Sequence, residues 1–355
     1  MMTLRLKLPV GQTLFLTLIW IILAGIVIEL PARSSLAGEF LPAQGLGSAH
    51  RQFEIQSDRL IKRAEAAGGI DCLFIGNSHI LRAIDPAAIE AQYKEKTGQS
   101  IRCQNFGLRG ASVQLTGQLA AILSEKYHPK LIVLGLAMLD MDQSLAGKGD
   151  KNILKSPWME YQSGKFSPEG FLIDHSYGYR YYLGFNNTYF STVQLTDADG
   201  AAFDGNIQAN GFNPSPNIFR PEELTAAAIE KIRATYESIQ MDDGTLQGLD
   251  QILALSRTGV EILVVEMPVA PFVLELSPLI RENHARYIET LTAKTTEYNK
   301  IFWQTQGLAL IPADGWSDHN HLNGAGADLF SRWLGDQIAQ AVLNGTLNLF
   351  NGSTP

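Results

Sequence analysis

The chain has 355 residues, 45% of them hydrophobic and 18% charged. That is too long and too apolar for a disordered polymer, and one large domain, or one domain with a sizeable insertion, is expected. A formal charge of −8 with no long Lys/Arg run argues against a nucleic-acid partner. The two cysteines, Cys72 and Cys103, form neither a disulfide framework nor a zinc spacing, so no structural metal and no cofactor are expected.

From Leu8 to Ile28 no residue is charged. As a helix this run would span about 31 Å, the thickness of a bilayer core. Arg5 and Lys7 precede it and Glu29 closes it, with Arg33 on the far side, a bias that favours an N-terminus inside and the rest of the chain outside. The alternative is a signal peptide cleaved near Ser35-Leu36-Ala37, but the apolar run exceeds the usual signal core. The expectation is a single-pass, membrane-anchored protein: a cytoplasmic tip and anchor over 1–30, a flexible tether over 31–50, and an extracytoplasmic domain over 51–345. Residues 346–355 are a tail.

Helical spacing opens the domain at 51–67. Ile70–Ile75 reads as a strand buried on both faces, 86–97 as a helix, Ile101–Phe106 as a second strand, and 114–127 as a helix. Leu131–Leu136 is a third strand. After a long interval come a helix over 245–256, a fourth strand over Val260–Glu266, a helix over 278–305, a fifth strand over Leu308–Ile311 and a closing helix over 325–343. Helices between strands imply right-handed crossovers and a doubly wound, three-layer α/β/α domain on a five-stranded parallel sheet. Chemistry in such sheets sits at the carboxyl ends of the strands.

Three strand ends carry glycine or polar residues: Gly76-Asn77-Ser78-His79, Asn105-Phe106-Gly107-Leu108-Arg109-Gly110, and Asp318-His319-Asn320-His321. A serine on a strand-to-helix turn, a histidine to take its proton and a carboxylate to orient that histidine are the parts of serine acyl transfer. Ser78, His321 and Asp318 supply them, the last two at spacing i, i+3.

These blocks resemble the SGNH, or GDSL-like, hydrolases over roughly residues 68–142 and 245–345. The resemblance implies a flavodoxin-like α/β fold, Ser78 as nucleophile, an Asp318-x-x-His321 pair, and an oxyanion hole from the Ser78 and Gly107 N–H groups. The anchor, Ile84-Asp85-Pro86 and Met267-Pro268-Val269-Ala270-Pro271 are similar to the membrane-anchored branch with the D-alanyl transfer and alginate O-acetylation proteins. That branch implies an acylated glycan or other envelope polymer as partner, often beside a membrane-bound O-acyltransferase. It implies an O-acyltransferase or acylesterase working through an acyl-Ser78 intermediate; a non-catalytic accessory or glycan-binding module is the alternative. One departure stands out: the third block usually brings an asparagine, and here Gly135-Leu136-Ala137-Met138 has none. Asn77 and Asn105 are the candidate replacements, since Asp140 and Asp142 cannot donate while ionised.

Each residue also has a plainer reading. Ser78 could simply cap the following helix, and His319 competes with His321. His79 and Arg109 are substrate-binding candidates or solvated side chains. Cys72 and Cys103, on neighbouring strands, are expected as buried free thiols, because a mid-sheet disulfide is geometrically awkward. Between strand three and the next core helix, at about 143–243, lies an insertion with eleven aromatic residues from Trp158 to Phe190. It is placed to wall the site, its aromatics either packing a small core of their own or facing sugar rings. Asn186-Asn187-Thr188 is a glycosylation acceptor only in a eukaryotic secretory pathway.

Overall fold

The apolar runs become one parallel sheet. The computed structural model describes residues 9–34, 40–41, 43–142, 147, 149–190 and 206–349. Arg5, Lys7, Ser35-Leu36-Ala37, the side chains of Asn187 to Phe190, and parts of the tether, insertion and tail lie outside the described residues. The strands are β1 (Cys72–Gly76), β2 (Cys103–Gly107), β3 (Leu131–Leu136), β4 (Glu261–Glu266) and β5 (Ile301–Trp303). Their order is β2-β1-β3-β4-β5, all pairs parallel. The chain steps from β1 out to β2 and back past it to β3, so the reversal of winding falls beside β1, where a doubly wound sheet opens its crevice.

Helix α1 (Val10–Ala32) is apolar and exposed, and it is long and apolar enough to cross a membrane. The core helices are α2 (Arg51–Ala67), α3 (Ser78–Ala83), α4 (Pro86–Thr97) and α5 (Val113–Tyr127). The insertion contributes α6 (Asp150–Leu154), α7 (Pro157–Gln162), α8 (Pro168–His175), α9 (Tyr177–Phe190) and α10 (Ala226–Glu237). Then follow α11 (Asp243–Ala254), α12 (Pro271–Glu275), α13 (Pro278–Glu297) and α14 (Gly324–Leu343). Local chemistry sets the ends. The Asp85 side chain accepts from the Ala87 N–H ahead of α4, Pro86 fills its first position, and Gly98 closes it at φ 72°.

Alternation along each strand divides the core in two. Leu73, Ile75, Ile132, Leu134, Ile262 and Val264 face α2, α5, α11 and α13, while Cys72, Phe74, Leu131, Val133, Leu263 and Val265 face α3, α4 and α14. Both faces are covered, which is why these strands read as unbroken apolar runs. Cys72 and Cys103 sit side by side in register as buried free thiols, as expected.

One feature of the register positions α3. Gly107, Gly76 and Gly135 stand abreast on three adjacent strands. A Cβ on Gly135 would lie 2.2 Å from Ile80 Cδ1, one on Gly76 2.7 Å from the Gly135 carbonyl oxygen, and one on Gly107 2.3 Å from the Leu81 backbone nitrogen. The helix that begins at Ser78 therefore rests directly on the bare backbone of the sheet.

Two expectations need correction. The fifth strand is Ile301–Trp303 and not Leu308–Ile311. The preceding helix stops at Glu297, Asn299 turns the chain at φ 52°, and the strand follows at once, whereas 306–308 is a single 3₁₀ turn with Leu308 exposed. The second half of the tether is packed rather than loose. Gln44 N–H donates to Asp58 Oδ1 at 2.8 Å, Gly45 N–H to the Arg180 carbonyl at 2.9 Å, and Leu46 and Ser48 N–H to Glu54. The insertion also joins the main core, with Trp158, Met159 and Ile173 buried in the cluster that contains Phe53.

Candidate active site

Gly76 ends β1, and Asn77 caps α3 by accepting the His79 N–H at 2.8 Å. Ser78 is thus the first residue of the helix, not its cap. Its N–H has no acceptor within the helix, and its side chain stands half-buried at the carboxyl edge of the sheet.

The partner loop is built around Asp318. Its Oδ1 accepts the Asn320 N–H at 2.9 Å and the His321 N–H at 2.8 Å, and Ser317 N–H closes on the His321 carbonyl at 2.8 Å. A Trp316–Leu322 bridge staples the loop at its base. The same carboxylate receives His321 Nδ1, with Oδ2 at 2.9 Å, and His321 Nε2 stands 2.8 Å from Ser78 Oγ. A carboxylate can only accept, so Nδ1 carries the proton and Nε2 takes the serine O–H. Burial alone would raise the Asp318 carboxyl. The His321 ring N–H and charge and the Asn320 N–H outweigh it and hold the group well below the usual carboxylate range.

His319 takes no part in this line. Its ring meets the edge of Tyr236 at 6.0 Å and its carbonyl accepts the Ala270 N–H. Burial, with the neighbouring His321, lowers its pKa despite Asp318.

The expected oxyanion donors are arranged differently from the expectation. Gly107 N–H donates to Asn105 Oδ1 at 2.8 Å, and Asn105 Nδ2 donates to the Ile80 and Ile84 carbonyls, both at 2.8 Å. Asn105 ties β2 to α3, and its amide and the Gly107 N–H are used up in doing so. Asn77 Nδ2 donates to Asp140 Oδ1. Of the donors expected from the sequence, the Ser78 N–H and the second proton of Asn77 Nδ2 are left without an acceptor among the described residues.

Asn77 belongs to a second chain of contacts. Asp140, on the 3₁₀ turn after β3, accepts from Asn77 and from the Ala137 N–H at 2.8 Å, and burial pushes its carboxyl up to about 7 against that N–H. Asn77 Oδ1 accepts His79 Nδ1 at 2.8 Å, and the His79 ring stacks on His321 at 5.0 Å and 29°. His79 is 4% exposed. Burial and then the charge of His321 hold it well below the usual histidine pKa, so the ring on the face of His321 is neutral. His79 is therefore placed to hold His321 rather than substrate. Arg109 is exposed on the β2 loop, with its N–H on Gln52 Oε1 at 2.5 Å.

The sequence placed the insertion beside the site but did not single out the two parts of it that reach the site. Residues 210–219 lace the site together: Asn213 N–H donates to the Leu81 carbonyl, Phe219 N–H to Trp316, and Gly324 N–H to Ser215. Tyr236 lies fully buried within the fields of Asp318 and Asp140, and its hydroxyl has no hydrogen-bond partner among the described residues. The aromatic concentration was the only signal, and it pointed to the wrong part of the insertion. Among the described residues no cluster of His, Cys, Asp and Glu suits a metal ion.

No protein-family model matches the chain, and no curated protein matches it. Among solved structures it is similar to a carbohydrate acetylesterase family member from Sinorhizobium meliloti, at 13% identity and a TM-score of 0.38, over 77% of this chain and 98% of that one. It is also similar to an aryl esterase of M. smegmatis, at 12% identity and a TM-score of 0.33, over 76% of this chain and 98% of that one. A third is an alpha/beta hydrolase enzyme from the metagenome of Lake Arreo, at 13% identity and a TM-score of 0.36, over 79% of this chain and 97% of that one.

Proposed function

We propose that the chain is a serine acyl-transfer enzyme with Ser78 as nucleophile, His321 as base and then acid, and Asp318 as the group that orients His321. The observation that carries this reading is the unbroken line Ser78 Oγ to His321 Nε2 at 2.8 Å and His321 Nδ1 to Asp318 Oδ2 at 2.9 Å. In the first half-reaction Ser78 Oγ bonds to an ester carbonyl carbon while its proton passes to His321 Nε2. The carbonyl oxygen takes the negative charge beside the Ser78 N–H. Collapse breaks the ester C–O bond, the leaving alkoxide takes the proton from His321, and acyl-Ser78 remains. Water or a sugar hydroxyl then attacks with His321 again as base, which gives hydrolysis or transfer. The finer reading is an extracytoplasmic O-acyltransferase or acylesterase on an envelope glycan, working beside a membrane-bound O-acyltransferase. It is supported by the anchor-like α1 and by the order of the sequence blocks.

A second reading, a non-catalytic glycan-binding or docking module, draws on one observation: Gly107 N–H and the Asn105 amide are spent on each other and on α3. A fluorophosphonate probe separates the two. Stoichiometric labelling of the wild type, lost in Ser78→Ala together with p-nitrophenyl acetate hydrolysis, is the expected result. Because a strand-end hydroxyl adds little to the core, Ser78→Ala should melt within about 2 °C of the wild type. A wild type that takes no label, or a Ser78→Ala variant that keeps its activity, would overturn the enzymatic reading.

A further inference from the structure

The end of α1 is braced against the insertion. Glu29 sets its carboxylate on the first turn of α9: Oε1 accepts the Tyr177 N–H at 2.8 Å, and Oε2 accepts the Ser176 hydroxyl at 2.9 Å and the Gly178 N–H at 3.2 Å. The two N–H groups are among those a helix leaves unpaired, and they lie at the positive end of its dipole. Arg33 locks the junction. It pairs with Glu29 at 2.9 Å, donates to the His175 carbonyl at 3.0 Å and lies 4.7 Å over the Tyr177 ring. Gly178 is in contact with Ile28, where a Cβ would stand 2.7 Å from Ile28 Cγ2, and Ala32 packs with Tyr181. Position 178 meets 28 and 181 meets 32, so α9 climbs beside the last turn of α1.

This pairing sets the height of the insertion above a bilayer. With α1 as the span, Ile28 to Arg33 occupy the boundary between hydrocarbon and headgroups. Rising about 1.5 Å per residue from Gly178, Tyr182 stands roughly 6 Å above Ile28, within the headgroup layer, and the Phe185 backbone roughly 10 Å, just beyond it, with its Cα–Cβ bond tilted back toward the helix N-terminus and the bilayer. Both lie on the Gly178 stripe of α9 (i, i+4, i+7), and they are 56% and 47% exposed. Helix α8 reaches the same level at His175, whose carbonyl accepts from Arg33. The Phe171 ring stacks on His175 at 4.3 Å, and Phe171 and Leu172 are 44% and 45% exposed. Aromatic side chains with one apolar and one wet face belong at this boundary.

We propose that Phe171, Leu172, Tyr182 and Phe185 form a membrane-docking face whose occupant is the lipid headgroup layer around α1, with Glu29 as the brace that holds it there. This rests on the reading of α1 as a membrane span and is independent of the chemistry at Ser78. The insertion then serves as a footing for the domain.

The test uses the full chain in phospholipid nanodiscs with single nitroxide labels at Phe171→Cys, Tyr182→Cys and Ile21→Cys, since the native Cys72 and Cys103 are buried. Collision rates with oxygen and with a water-soluble nickel chelate are compared with those of free label. The oxygen-to-nickel ratio is expected to be highest at position 21 and at least threefold above free label at 171 and 182. A water-like ratio at either 171 or 182, with 21 immersed, overturns the docking face. A water-like ratio at 21 overturns the span itself, and the docking face with it. In a Glu29→Ala background the ratio at 182 should fall toward that of free label while position 21 stays immersed. A ratio at 182 that does not change overturns the brace.

Discussion

Asp318 is asked to do two things at once. One oxygen nucleates the turn by accepting the Asn320 and His321 N–H groups, and the carboxylate as a whole fixes the tautomer and direction of the His321 ring. Spacing i, i+3 is what permits both, which is why His321 and not His319 reaches Ser78. On the proposed reading His321→Ala should remove about three orders of magnitude from kcat, because it removes the base assigned to the serine proton. His319→Ala should cost less than about tenfold, since His319 touches Tyr236 and not Ser78. Steady-state kinetics on p-nitrophenyl acetate check both, and a larger loss from His319→Ala would exchange their roles. The juxtaposition of Ser78, His321 and Asp318 was legible because Ser78 follows β1 at a glycine turn and the other two share a short polar loop ahead of the closing helix. The direction of the amides was not. Gly107 and Asn105 occupy the expected loop, yet they bond to one another, and no local pattern encodes which way a side-chain amide turns. The Asp140–Asn77–His79 chain joins positions 63 residues apart, a separation over which sequence spacing carries no information.

The seat of α3 on three glycines carries the element-scale prediction. Gly107→Ala would drive a methyl group into the Leu81 backbone, which cannot swing aside like a side chain. The variant should lose about 3 kcal/mol or more of stability, together with its reaction at Ser78, whereas Gly307→Ala, with open space around it, should lose less than about 1 kcal/mol. Urea melts of the two variants decide it, and equal midpoints would show that α3 can lift off the sheet at no cost. At this scale most of the fold was readable. Helix 51–67 and strand 131–136 have the bounds their periodicity predicts, and the other central strands lie within two residues of theirs, because burial on both faces leaves a continuous apolar run. The exception is β5, one of the two edge strands. Ile301–Trp303 has three half-buried residues directly after a long amphipathic helix, so its signal merges with that of the helix, and the apolar Leu308–Ile311 stood out in its place.

Across the whole molecule, buried and partly buried carboxyls of opposite behaviour bracket the pH of greatest stability. Burial raises Glu54 to about 7 despite the Leu46 and Ser48 N–H groups, and raises Asp140 to about 7 as well. A carboxyl with a raised folded-state pKa binds its proton more tightly when folded, so its contribution favours folding on the acid side and is lost as pH climbs through about 7. Asp71, Asp174 and Asp318 behave in reverse. Burial opposes ionisation in each, but Lys130 and Arg102, Lys126 and Trp158, and His321 respectively lower the pKa, so their contribution is lost as pH falls through the ordinary carboxylate range. The melting temperature should therefore peak near pH 4–5, fall as pH climbs to about 7 and stand a few degrees lower at pH 8, as differential scanning fluorimetry across that range would reveal. A melting temperature that keeps rising from pH 5 to pH 7 would mean that Glu54 and Asp140 are already ionised in the folded protein at pH 5.

The brace at Glu29 has a kinetic corollary. On the membrane reading proposed above, a domain that cannot swing on its stalk samples a thin layer parallel to the bilayer rather than a sphere around its attachment point. Its encounters then count per unit area. At constant bulk concentrations of enzyme and of a bilayer-bound acyl substrate, diluting the surface with inert lipid should slow the reaction, while the rate on a small water-soluble ester should not change.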